Sequence, residues 1–262
     1  MRLLAQSHIA NHYAAPTEIM AKVQVAHAPG QTIVSEYLSV TPHHALDAVE
    51  LDDGRLLRGT IEGEVEIVYR AVVDVEPRAE LHADLIQHEW SDLPADVLPY
   101  LMPSRFCPAD KFMRFTAREF GALTGGAKAI AIVDWIREHV DYLHNISNAE
   151  TTAENTFIDR AGVCRDFTHL GLTLCRAGGI PARAVAAYAL ALDPPDFHAV
   201  FEVWLGESWW LVDPTGLAPV AGLIRIAHGR DAADIAFLTT SGAVTPIAIT
   251  VSVAKVTAHR QV

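Results

Sequence analysis

Cysteine is scarce in this chain: three residues in 262, at positions 107, 164 and 175. The count is odd and no Cys-x-x-Cys pair occurs, which leaves neither a disulfide framework nor a zinc knuckle. Basic residues are also short, 20 Lys and Arg against 32 Asp and Glu, for a net charge of −12. Nucleic acid is therefore not expected as the main partner, because phosphate binding needs clustered cations. No apolar run approaches the length of a membrane span, and Met1–His8 lacks the apolar centre of a signal peptide. The expectation is a cytoplasmic protein that makes no membrane contact. What the chain does have is a half-hydrophobic, one-fifth-charged composition, which is that of a globular core. Its length suits one large domain or two ordinary ones.

Residues 1–76 read as strands. From Gly63 to Val75 the odd positions are mostly apolar, and Lys22-Val23-Gln24-Val25 alternates too. Period two gives a strand one buried and one wet face. Asp52-Asp53-Gly54 is a hairpin turn signal. This region is expected to form a β-rich N-terminal domain, a small β-sandwich. Residues 77–110 carry prolines at 77, 94, 99, 103 and 108, so they read as a Pro-rich linker packed on the surface. Cys107 in that linker has no basic partner in view and reads as structural. His8 with His12, and His43 with His44, lack the further ligands a metal shell needs, so no metal is assigned to them.

The spacing predicts helices from Asp110 to Phe120, from Lys128 to Leu143, and from Thr151 or Thr152 to Arg160, the last with an imperfect Thr152-x-x-Asn155 capping box. A fourth starts near Gly162. Its apolar face is Val163, Phe167, Leu170 and Leu174, and Gly178-Gly179-Ile180-Pro181 ends it. Period-two segments follow at 184–192, 198–205, 208–212 and 248–256. Helices followed by an antiparallel sheet within residues 111–262 make an α+β domain.

Cys164 falls in the first turn of the fourth helix. Unpaired N–H groups and the positive end of the helix dipole stabilise a thiolate there; the alternative is a small buried hydrophobe. Asp166 in the same turn fits either a capping role or a hydrogen-bonding role behind the thiol. His169, five residues beyond Cys164, is off its face and reads as a packed or exposed residue rather than a catalytic one. Gly206-Glu207 joins two strands as a tight hairpin of type II′. With Leu205 opposite Ser208, Val200 lies opposite Asp213, and His198 shares their face as a diagonal neighbour of Asp213. A thiol, an imidazole and a carboxylate make a set for nucleophilic acyl transfer. They also offer three possible metal ligands, without the outer hydrogen-bonding pattern a metal site would show.

Four blocks then carry a resemblance. They are Gly162-Val163-Cys164-Arg165-Asp166-Phe167-x-His169-Leu170, Leu174-Cys175-Arg176-x-x-Gly179-Ile180-Pro181-Ala182-Arg183, His198-Ala199-Val200-x-Glu202-Val203, and Trp210-x-x-x-Asp213-Pro214-Thr215. The chain resembles, over residues 77–240, the bacterial transglutaminase-like superfamily proteins assigned as cysteine proteases. Residues 1–76 resemble the β-rich N-terminal domain that accompanies many of them. Where relatives often read His-Ala-Trp, this chain has Val200.

The resemblance implies a papain-like core of helices packed on an antiparallel sheet, with Cys164 as nucleophile and His198 and Asp213 assisting. It also implies a peptide or amide substrate and no cofactor. Water as acceptor gives hydrolysis; an amine gives protein-glutamine cross-linking. A non-catalytic peptide-binding module on the same fold is the alternative from another class. Arg165, Asp166 and Tyr188 are placed behind the site or in its cleft. Trp135 lies on an apolar helix face and is not given the role that an upstream tryptophan has in animal transglutaminases.

Overall fold

The computed structural model of the protein describes residues 1–256. The last six residues of the 111–262 region lie outside that range. In chain order the elements are β1 (Arg2–Ala21), β2 (Gln31–Thr41), β3 (Asp47–Leu51), β4 (Gly54–Val75), α1 (Met113–Phe120), α2 (Gly125–His139) and β5 (Asp141–Tyr142). There follow α3 (Ala153–Asp159), β6 (Ala161–Gly162), α4 (Cys164–Ala177), β7 (Ala182–Ala189), β8 (Phe197–Leu205) and β9 (Ser208–Val212). The chain continues through β10 (Leu223–Gly229), α5 (Ala232–Ile235), β11 (Leu238–Thr240) and β12 (Thr245–Lys255). Helices packed on an antiparallel sheet give the mixed architecture expected.

The N-terminal region is β-rich because alternation runs without a break. In both β1 and β4 the buried positions are almost all odd-numbered, and partners such as Leu3 with Val73 and Ile9 with Ile67 share the inner face. The register jumps between Tyr13 and Thr17, where Pro16 has no N–H to give to a ladder. That bulge bends two long strands so that each serves two four-stranded leaves. One is β2-β4-β1-β12 and the other β3-β4-β1-β11. The anticipated sandwich is thus built differently: the leaves share their central strands and belong to one ladder with β10-β7-β8-β9. Thr245–Lys255, although last in the chain, pairs along β1.

The seam between β4 and β10 is a single pair, Gly54 with Ala227. Gly54 leaves the Asp52-Asp53 turn at φ +148, and a Cβ there would lie 2.8 Å from the Ile226 carbonyl oxygen. Only glycine permits both the turn and the close approach. Lys22 braces the seam through a 2.7 Å ion pair with Asp53. Lys22–Val25 itself is not a strand. Val23 and Val25 are buried, yet their neighbours' main-chain groups bond to a loop carbonyl and a side chain, Lys22 N–H to the Phe237 oxygen and Val25 N–H to the Tyr69 hydroxyl.

Hydrogen bonds pin the Pro-rich stretch. Gln87 donates to the carbonyls of Gly178 and Gly179 and accepts from Gly125 N–H. Arg176, buried in α4, reaches Ser104 Oγ at 3.0 Å. The helices follow their sequence signals closely, with three shifts: α1 starts three residues late, at Met113, and α2 starts three residues early and stops at His139. Thr152 and Asn155 do form a complete capping box.

α4 is almost wholly buried between sheet and helices. At Gly171 it lies so close to β8 that a Cβ would be 2.6 Å from the Phe201 ring. On the same strand Glu202 is fully buried and shared by Arg183 and Arg225, each with an Nε bond of 2.7 Å. Burial pushes its carboxyl up, but the two guanidiniums outweigh that and hold it below its ordinary range. Gly171→Ala should destabilise the fold by about 1–3 kcal/mol, because overpacking at Phe201 exceeds the gain in helix propensity. Urea unfolding checks this; an unchanged or raised midpoint would contradict the close packing of α4 on β8.

Candidate active site

Cys164 stands at the first residue of α4, preceded by extended Val163. The chain enters this turn through a short parallel ladder in which Tyr142 lies beside Gly162. Gly162 has no room for a side chain: a Cβ there would be 2.6 Å from that of Asp166. Asp166 is fully buried, and its Oδ2 accepts the Val163 N–H at 2.9 Å. Arg165 donates to the other oxygen at 3.1 Å and also to the Asn148 carbonyl. Asp166 therefore acts on the main chain, fixing the turn that presents the thiol. Arg165 holds that arrangement from outside.

His198 is the second residue of β8, and β9 follows in the expected register, Leu205 opposite Ser208 and Phe201 opposite Val212. The turn differs from the expected type. Gly206 and Glu207 have φ of 53° and 65°, and two positive values in succession make it type I′. Both types have two loop residues, so the parity survives. His198 Nε2 meets Asp213 Oδ2 at 3.0 Å, with both side chains buried. Asp213 accepts three further bonds: from Thr215 N–H at 2.9 Å, Thr215 Oγ1 at 2.7 Å and Ala218 N–H at 3.0 Å. Arg137 of α2 donates to the Asp213 carbonyl oxygen. No freedom is left for the carboxylate to turn.

The other ring nitrogen, His198 Nδ1, is buried without a hydrogen-bond partner among the described residues. Burial works against a charged ring, but the Asp213 carboxylate and then the Cys164 thiol outweigh it and raise the imidazole to about 9. Burial raises the Asp213 carboxyl, and its bonds to His198, Thr215 and Ala218 bring it below its usual 3.8.

Cys164, Arg165 and His198 line one cleft of about 630 Å³. Its walls hold residues that no sequence pattern singled out: Arg105 and Phe106 from the Pro-rich stretch, Phe197, and Ile235 to Thr239. Asp231 ties two of these walls together, accepting from Phe106 N–H at 3.1 Å and capping α5 through Ala233 N–H at 2.9 Å. His169, buried, stacks on Phe106 at 5.0 Å and accepts the Ala232 N–H at Nε2. Burial lowers its pKa to about 4, so it is neutral near pH 7. It is a packing residue behind the cleft. Tyr142 packs on Phe167 and lies against Cys164, and burial together with the thiol pushes its hydroxyl up.

Tyr188 is a correction. It does not line the cleft: it is fully buried, its hydroxyl donating to the Val23 carbonyl at 2.6 Å and lying 2.9 Å from Ser7 Oγ. Its ring turns toward the N-terminal strands, where Tyr69 stacks on it at 6.4 Å. Trp135 stacks on His139 at 4.5 Å and on Phe157, outside the cleft. Cys107 and Cys175 are completely buried, and burial raises both thiols to about 12. Among the described residues no group of three His, Cys, Asp or Glu could hold a metal ion, and none of the helices is long and apolar enough to cross a membrane.

Comparison with known proteins bears on this arrangement. Residues 114–214 match the transglutaminase-like superfamily. A solved Cytophaga hutchinsonii structure, described as a "putative cysteine protease", is 37% identical, with a TM-score of 0.91 over 97% of this chain and 90% of that one. An uncharacterised Mycobacterium leprae protein is 26% identical over 191 residues, 66% of each chain. An uncharacterised Mycobacterium tuberculosis protein is 34% identical over 110 residues. The chain thus spans from about a third to two thirds of the length of these mycobacterial relatives.

The folded imidazole of His198 titrates near 9 against an ordinary 6.5. Its contribution to stability is complete below about 6.5 and lost as pH rises through 9; that of Asp213 is present above about 4 and lost in acid. Wild type should therefore exceed Asp213→Asn in stability by at most about 3 kcal/mol near pH 6, with the gap closing by pH 10. Denaturant titrations across pH test this; a gap constant from pH 6 to 10 would show that the pair carries no such charge.

Proposed function

The chain belongs to the transglutaminase-like superfamily, and on that footing we propose a thiol acyl-transfer enzyme that hydrolyses amide or peptide bonds. One observation carries this reading: His198 is bonded to Asp213 through Nε2 while its Nδ1 has no hydrogen-bond partner among the described residues, in the cleft that Cys164 lines. His198 is already protonated near pH 7, so Cys164 Sγ attacks the acyl carbon as the thiolate of an ion pair with the imidazolium. The tetrahedral oxyanion forms against the Cys164 main-chain N–H at the start of α4. His198 then protonates the leaving amine, which departs as the C–N bond breaks and leaves a thioester on Cys164. Water, deprotonated by His198, attacks the thioester and releases the carboxylic acid and the thiolate. Asp213 positions the ring and stabilises its charge throughout. No cofactor enters these steps.

The substrate is a peptide or amide. Residues 1–76 serve as a β-rich support, 77–110 as the surface strap, and 111–262 as the catalytic region. The three free thiols suit a reducing cytoplasm.

Alkylation tests the reading. With iodoacetamide at pH 6–7, Cys164 should be modified while Cys107 and Cys175 stay intact, and His198→Ala should slow Cys164 by about tenfold or more. Peptide mapping by mass spectrometry gives the sites. If Cys164 reacts no faster than the two buried thiols, or is indifferent to His198→Ala, the enzyme reading fails and a peptide-binding module takes its place. Product analysis with peptide and added amine separates hydrolysis from cross-linking.

A further inference from the structure

The remaining question about this cleft is what it accepts, and an answer rests on the acyl-transfer reading above. Its inner wall is aromatic. Phe197, next to His198, stacks on Phe237 with ring centroids 4.8 Å apart and planes 11° from parallel. Small side chains around them, Ala186, Ala199 and Ala236, leave room above the rings. Of the charged groups that line the cleft, Arg165 is engaged by Asp166 and the Asn148 carbonyl. Arg105 and Asp196 are exposed at the rim. Each already has a partner on the protein: Asp196 accepts the Phe197 N–H at 2.7 Å, and Arg105 lies 4.9 Å over the Phe106 ring. An ionised substrate side chain would lose its hydration without gaining a partner, which is strongly unfavourable. An apolar one would trade water for ring and methyl contacts.

The wall is also held rigid. Phe197 meets Tyr188 at 5.5 Å, and Tyr188 meets Tyr69 at 6.4 Å, so four rings run from the N-terminal core to the cleft. Phe237 itself is fixed at both sides: its carbonyl accepts the Lys22 N–H, and β11, which follows it, pairs with β1. A preformed surface discriminates better than one that must be ordered by the ligand.

We propose that the cleft selects acyl donors carrying a bulky apolar side chain beside the scissile carbonyl, with Phe237 and Phe197 as the recognising surface. Phe237 lies outside residues 114–214, the stretch that marks the family, so this selectivity belongs to the C-terminal return of the chain.

Acetyl-aminoacyl chloromethyl ketones test it on the full-length protein. In this reaction the Cys164 sulfur forms a C–S bond and chloride leaves, and each rate is divided by the same variant's iodoacetamide rate. Wild type should react with the Phe and Leu reagents at least about tenfold faster than with the Asp and Lys reagents. Phe237→Ala should bring that ratio toward one, and Phe237→Leu, which keeps an apolar wall and guards against a folding defect, should preserve it. Equal rates across the four reagents, with iodoacetamide still specific for Cys164, would overturn the selectivity and leave the acyl-transfer reading standing. A ratio that survives Phe237→Ala would overturn the role of Phe237. Failure of iodoacetamide at Cys164 would remove both.

Discussion

Two residues, Gly206 and Glu207, govern the relation between His198 and Asp213. A loop of two keeps Leu205 opposite Ser208, and from there the pleat places imidazole and carboxylate on one face. One residue more would send them to opposite faces. The turn also explains why the pair can be buried. Asp213 ends its strand, so its side chain can accept from Thr215 and Ala218 in the chain that turns away. Those bonds offset the desolvation of a carboxylate that would otherwise take up a proton.

The thiol comes from a different element, and its place is set by packing. Gly171 lets α4 lie flat on Phe201, and Asp166 secures the first turn by holding Val163 N–H. Helix and strand are then rigid relative to each other within the core, so a helix start faces a strand start across the cleft. The ends of these elements carry the chemistry, and the buried lengths between them fix its geometry.

The features encoded by spacing were legible in the sequence. The α4 face, its glycine stop, the parity of the β8–β9 hairpin and the capping residues Thr152 and Asp166 all follow from local periods and hydrogen-bonding side chains. What was missed depends on contacts distant in sequence. Leu223–Gly229 is buried on both faces, so it shows no alternation and did not register as a strand. Lys22–Val25 does alternate, but partners in loops take its main-chain bonds. Tyr188 sits one position from Ala187, the partner of His198, yet the pleat aims its ring at the N-terminal strands. The type of the Gly206-Glu207 turn escaped because a lone glycine suits either form, and only the positive φ of Glu207 decides. Phe237 and Arg105 carry no local mark at all.

The N-terminal strands are consequently part of the cleft's construction. β11 follows Phe237 directly and pairs with β1 at Ile19 to Ala21, and the preceding α5 is tied to Lys22 through the Asp234 carbonyl. Tyr69 and Tyr188 are each anchored by hydroxyl bonds, to Glu36 and to Val23, at the base of the aromatic row that ends in Phe197 and Phe237. A cleft wall made of a short helix and three strand residues has little stability of its own. It acquires a fixed shape because both its flanks are bonded to a sheet that the first 75 residues build.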